Sequence, residues 1–312
     1  METQQILSNA SLTKTEKIRQ LLALGLTRRQ VADLTGGNYG FVQNVFARYW
    51  PEQVRSRRAD ASADIFRFIP FNRKFGVEIE AHNISREALA EALRQAGITV
   101  AVEGYNHTTR RHWKLVTDGS LSGNNTFELV SPILEGQAGI DELQIVCRVL
   151  KQKNAYINRT CGLHIHFDAV NLELAQVKNL IVNYARFESI IDSFMPNSRR
   201  GNTNYFCKSV QGLADQVDQA RTMNGLISLQ RTRYQKINLQ SYVRHQTIEF
   251  RQHSGTIEFE KIANWVLFLH NLVEFSRTKR VEASAATMQS LREFQQPEIV
   301  TYINNRISDL AA

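Results

Sequence analysis

Residues Gln246 to Thr256 read QTIEFRQHSGT, an alternation of apolar and polar residues that ends in a Ser-Gly-Thr turn. Alternation predicts a strand with two unlike faces. Ile248 and Phe250 would face a core, leaving Thr247, Glu249, Arg251 and His253 on the other side. Three earlier segments repeat the pattern. Val77 and Ile79 alternate with Glu78 and Glu80, Phe127 and Leu129 flank Glu128, and Leu163, Ile165 and Phe167 alternate with His164, His166 and Asp168. Any one of these could be a half-exposed strand of an antiparallel sheet with a solvated outer face. Composition argues against that for the set, because glutamate suits strands poorly. If the strands share a sheet, Glu78, Glu80, Glu128 and Glu249 crowd together, and facing like charges are destabilising. Divalent cations are the simplest remedy. Oxygen-rich ligands with one or two imidazoles suit Mg²⁺ or Mn²⁺, whereas zinc would call for more nitrogen or sulfur.

The surrounding pattern predicts the elements that position these residues. Strands are expected at Phe75 to Ala81, Ile98 to Val102, Trp113 to Thr117, Thr126 to Val130, Gly162 to Asp168 and Lys236 to Gln240, besides the strand containing Glu249. Helices are expected at Arg86 to Ala96, capped by Ser85, at Ile140 to Lys153, at Leu172 to about Phe194, and at Glu260 to Ser276. A polar loop from Pro196 to Cys207 precedes a helix reaching about Leu229, and the tail beyond Glu282 reads as helical. Asp118-Gly119 reads equally as a hairpin turn or as a source of a ligand. The fold class is therefore α+β, with a mainly antiparallel sheet flanked by helices.

Residues 1–50 differ in character. Lys14 to Leu24 is an apolar-periodic helix stopped by Gly25. Thr27 and Gln30 form a capping box for a second helix, and Asn38 caps a third that runs to about Trp50. The tri-helical order resembles helix-turn-helix modules, with Tyr39, Gln43, Asn44 and Arg48 on the exposed side of the third helix as candidate DNA contacts. Such units also dock proteins, so DNA and a carrier protein are both open as partners. Residues 51–64 are charged and rich in Ala and Ser and read as a linker, leaving 65–312 as the catalytic domain.

The chain has 312 residues and a formal charge of +8, a diffuse basic excess that permits an anionic partner without demanding one. No apolar run is long enough for a membrane span and the N-terminus has no signal-peptide pattern, so no membrane partner and a cytoplasmic location are expected. Cys147, Cys161 and Cys207 are widely spaced, without Cys-x-x-Cys, and read as packing residues. No P-loop or dinucleotide glycine motif occurs.

In order, the motifs are FGVEIE, an Asp-Gly-Ser turn at Asp118, FELVSP, GLHIHFD and TIEFRQHSGT. This set resembles the amidoligase family of the glutamine synthetase and glutamate–cysteine ligase superfamily, over about residues 70 to 280. The resemblance implies a glutamine synthetase-like catalytic fold and an ATP-dependent carboxylate–amine ligase that works through an acyl phosphate. It implies metal ligands at Glu78, Glu80, Asp118, Glu128, His164 and Glu249, with Glu78, Glu249 and the phosphate-contacting Arg251 catalytic. His166, Arg231, Arg233 and Asn238 fall in nucleotide-contacting segments, and Arg199, Arg200 and Tyr234 in substrate-contacting ones. ATP and Mg²⁺ or Mn²⁺ follow as cofactors, with a small-molecule or peptide carboxylate and an amine as substrates. Two other classes fit parts of the pattern. A zinc hydrolase could use His-x-His with nearby carboxylates, and a DNA-binding regulator could keep the same face as an idle sensor.

Overall fold

A computed structural model describes residues 2–37, 39–50 and 71–311, without the side chains of Tyr39 and Ala47. The Asn38 cap, the Tyr39 side chain, the expected linker 51–64 and the first residues of the expected catalytic domain lie outside that set. The described residues fall into two compact units, one from residues 2–50 and one from 71–311.

The smaller unit contains α1 (Glu2–Ser8), α2 (Lys14–Ala23), α3 (Arg28–Thr35) and α4 (Tyr39–Tyr49). Capping boxes at Thr13/Glu16 and Thr27/Gln30 start α2 and α3, and Gly36 ends α3 in the left-handed region. Ile18, Leu21, Val31 and Val42 are completely buried in its core. The unexpected α1 adds a fourth helix to the three predicted. It is too short for a clear period, and it is placed by Ile6 and Leu7 packing on that core and by Lys17 Nζ donating to the Leu7 carbonyl (2.7 Å).

The larger unit is α+β. Its strands are β1 (Phe75–Ala81), β2 (Val100–Val102), β3 (Trp113–Val116), β4 (Phe127–Val130), β5 (Leu163–Asp168), β6 (Ile237–Asn238) and β7 (Thr247–Phe250). They form one sheet in the order β2-β3-β4-β1-β5-β7-β6, antiparallel except for the β2–β3 pair. Its helices are α5 (Arg86–Gln95), α6 (Gly136–Gln152), α7 (Leu174–Ser193), α8 (Gln211–Ala214), α9 (Met223–Leu229), α10 (Gln240–His245), α11 (Phe259–Ser276) and α12 (Pro297–Ala311). One sheet face is apolar: Val77, Ile79, Phe127, Leu129, Leu163, Ile165, Phe167, Ile248 and Phe250 are each at most 1% exposed. Tyr184 of α7 packs on Phe250 and His270 of α11 on Phe167, so the two longest helices cover that face. Each buried large side chain contributes about 1.5–3 kcal/mol, which fixes the register, since a one-residue slip would turn the apolar set outward. No helix of the described residues is long and apolar enough to cross a membrane.

Three predicted elements differ. The helix expected before Leu229 is broken, because extended Thr222 starts α9 afresh by accepting from the Gly225 amide. The strand expected over Lys236 to Gln240 shortens to Ile237–Asn238. There the Gln230 side chain takes the Ile237 carbonyl and the Leu239 amide, and the chain turns into α10. Helix α6 starts at Gly136 rather than Ile140: the Gly139 amide already donates to the Glu135 carbonyl (3.1 Å), and a side chain at Gly139 would come within 2.9 Å of Leu134.

Candidate active site

The polar face of the sheet gathers the predicted side chains through strand register. Glu80 lies opposite Glu128, Glu78 opposite His164, and His166 and Asn238 both opposite Glu249. Asp118 joins them from the β3–β4 connection. Three sets of ligand atoms, each within 4.8 Å, result: Glu80, Asp118 and Glu128; Glu78, Glu128 and His164; and Glu78, His166 and Glu249. His164 sits between strands, with Nδ1 3.0 Å from Glu78 and Nε2 3.7 Å from Glu80. Gly162 must be glycine here, because a Cβ would approach His164 Nε2 to 2.9 Å and the Glu80 carboxylate to 3.2 Å. Its amide donates to Glu80.

Electrostatics follow from this crowding. Burial and the neighbouring Glu78, Glu80 and Asp118 charges hold the Glu128 carboxyl well above its ordinary range. Burial also works to raise Glu78, but His166 and His164 outweigh it and hold that group well below its usual value. For Glu249 burial is again opposed, by Arg251 and the two histidines, with a net lowering. Burial opposes protonation of His166, yet Glu78 and Glu249 raise its affinity for a proton. The fit to divalent cations rests on this donor set. Five carboxylates crowd together, and among the described residues the one guanidinium bonded to any of them is that of Arg251, through Glu249. The buried His166 Nε2 has no hydrogen-bond partner although Glu78 lies 3.2 Å away. Beside these carboxylates the ring offers a cation this nitrogen once the cation displaces its proton.

Arg251 is pinned by Glu249, which also accepts from Asn238 Nδ2 (2.6 Å). The buried Arg251 Nε is unpaired. Behind it lies a network that the sequence did not reveal. Lys236 is completely buried, with Nζ 2.7 Å from both Glu188 and Asp192 of α7, and its carbonyl accepts from the Arg251 amide. Gln252 joins Tyr184 to Asp192. Arg199 donates to the Cys161 carbonyl (2.6 Å), one residue before the amide that holds Glu80. In the sequence Lys236, Glu188 and Asp192 look like surface residues; only the fold turns them inward.

Two cavities meet at this cluster. The larger, about 660 Å³, is lined by Glu78, Glu128, His166, Asn238 and Glu249 and by residues 105–109. The smaller, about 430 Å³, is lined by Glu80, Thr160, Arg199, Phe206 and Tyr234. Tyr105, Asp118, His164, Arg233 and Arg251 border both. Arg231 lines neither cavity, and Arg200 turns away to donate to the Met195 carbonyl at the end of α7 (2.7 Å). His253, expected on the strand's polar face, is buried against Trp265 of α11, because the strand ends at Phe250 and the chain changes direction. In the smaller unit Asn44 and Arg48 are exposed on α4, while Gln43 accepts from Arg28 (2.7 Å).

Comparison with known proteins gives one family. The family described as "Putative amidoligase enzyme" matches residues 71–273, the span that contains every candidate ligand. One solved structure that the chain resembles, "Crystal structure of novel glutamine synthase homolog", is 11% identical and has a TM-score of 0.41, covering 81% of this chain and 70% of that one. No curated protein matches the sequence.

Proposed function

The chain belongs to the amidoligase family, and from that premise we propose that it is an ATP-dependent ligase that joins a carboxylate to an amine. The observation that carries the reading is the coincidence of three ligand-atom sets with the acidic motif positions on one sheet face. A carboxylate has no good leaving group, so amide formation in water needs activation. In this reading the substrate carboxylate attacks the γ-phosphorus of ATP and ADP departs. The amine then attacks the acyl carbon, and phosphate leaves as the amine loses its proton. Bound Mg²⁺ or Mn²⁺ would supply charge neutralisation at the phosphate oxygens. Glu80, Asp118 and Glu128 would hold one such ion, and Glu78 and Glu249, with His164 and His166, would hold the others. Arg251, fixed by Glu249 and backed by the Lys236 network, keeps a planar cation at the border of both cavities. There it can stabilise charge on the transferring group.

Two cavities meeting at one charged cluster suit a reaction that brings two ligands together. A zinc hydrolase would need fewer carboxylates and one water-binding position, and the abundance of oxygen donors counts against it. The test is a mass-spectrometric screen of amino acids, polyamines and peptides with Mg²⁺ and ATP. A product lighter by one water than the sum of two substrates, formed only with ATP and absent from Glu249→Gln, is expected. ATP-independent cleavage of a substrate would replace the ligase reading with the hydrolytic one.

A further inference from the structure

Residues 103–112 connect β2 to β3 at one edge of the sheet, yet Thr109 Oγ1 lies 3.3 Å from Nδ1 of His245, the last residue of α10 before β7. From β3 to β7 is four strand spacings of about 4.8 Å, roughly 19 Å. The connection therefore crosses the carboxylate face, and its residues 105–109 line the larger cavity, Tyr105 bordering the smaller one as well.

Two polar clusters hold this span. Glu103 at its root is gripped by Arg110, His112 and Asn106. Lys114 shares a cross-strand row with Val130, Glu78 and His164. A buried lysine in that row would ordinarily be read as a phosphate or carboxylate contact. Instead its ammonium is taken up by the Asn106 carbonyl (2.9 Å), the Asn106 side chain (3.0 Å) and the Thr108 carbonyl (2.9 Å), and it is 4% exposed. It forms no ion pair among the described residues.

We propose that residues 103–112 are a roof over the reacting groups, that Lys114 is its positioning residue and that Thr109–His245 is its latch. The role assigned to the roof rests on the ligase reading: an activated acyl group must meet an amine before water, and a closed cover reduces hydrolysis. The roof itself rests only on geometry.

Limited trypsin digestion of the full chain tests it, because Arg110 and Arg111 place cleavage sites in the span. Lys114→Met should speed cleavage after these arginines at least about tenfold, the scale expected when hydrogen bonds to a charged group are lost. Lys114→Arg, which keeps a cationic donor, should stay within about threefold of the unmodified protein. Thr109→Val, an exposed change that leaves the core intact, should give a smaller acceleration in the same direction. MgATP should slow cleavage of the unmodified protein. Rates within about twofold of the unmodified protein for both Lys114→Met and Thr109→Val would overturn the proposal. So would MgATP that binds by calorimetry without protecting the span. Absence of MgATP binding would count against the ligase reading alone, while the unliganded cleavage rates would still decide the roof.

Discussion

Glu128 and His253 show how position sets the protonation of one side chain. Burial and three neighbouring carboxylates push the Glu128 carboxyl well above its ordinary range, a burden that a cation would lift. His253 is the opposite case. Burial beside Trp265 holds its pKa down at about 3, against an ordinary 6.5. The folded protein therefore keeps this ring neutral at pH values where the unfolded chain takes up a proton. Stability from this group is fully present above pH 6.5 and is lost as pH falls, by about 1.4 kcal/mol per unit until the folded-state value is reached. Denaturation at a series of pH values should show that slope in the unmodified protein and a shallower one in His253→Gln. Equal slopes would mean that the imidazole titrates alike in both states.

Among the elements, β1, β4, β5 and β7 were legible in the sequence because each alternates strictly, and Ile248 or Phe167 can face the covering helices only if Glu249 or His166 faces the other way. The same alternation assigned Glu78, Glu80, Glu128 and His164 to one face. Asp118 carries no periodic signal and reached the ligand set through the family resemblance. Lys236, Glu188 and Asp192 were not legible, since charged residues on helices and short strands read as solvated. Helix α10 was hidden because its six residues show no amphipathic period and Gln246, in the left-handed conformation, ends it at once. The buried Lys236 cluster yields a prediction for its elements. Lys236→Met leaves two carboxylates of α7 without their cation, and removal of one partner from a buried pair costs about 3–5 kcal/mol. Urea denaturation should show that loss. A cost below about 1 kcal/mol would mean that α7 and β6 are held together by apolar packing alone.

For the whole molecule, every candidate ligand lies in the unit formed by residues 71–311. The N-terminal helices contribute none. We propose that they target the enzyme to DNA or to a carrier protein, with Asn44 and Arg48 exposed on α4. A chain lacking residues 1–60 should therefore keep metal-dependent ATP binding, while any duplex binding by the full chain should weaken steeply with salt and depend on Arg48. Salt-insensitive or absent duplex binding would leave protein docking as the role of the unit.

If the carboxylate face is a cation site for nucleotide chemistry, isothermal calorimetry of ATP binding with and without Mg²⁺ will show it. Heat of binding is expected only with Mg²⁺ or Mn²⁺, and should be lost in the folded Glu80→Gln/Glu249→Gln double variant. Undiminished MgATP binding by that variant, or ATP binding that needs no metal, would contradict it.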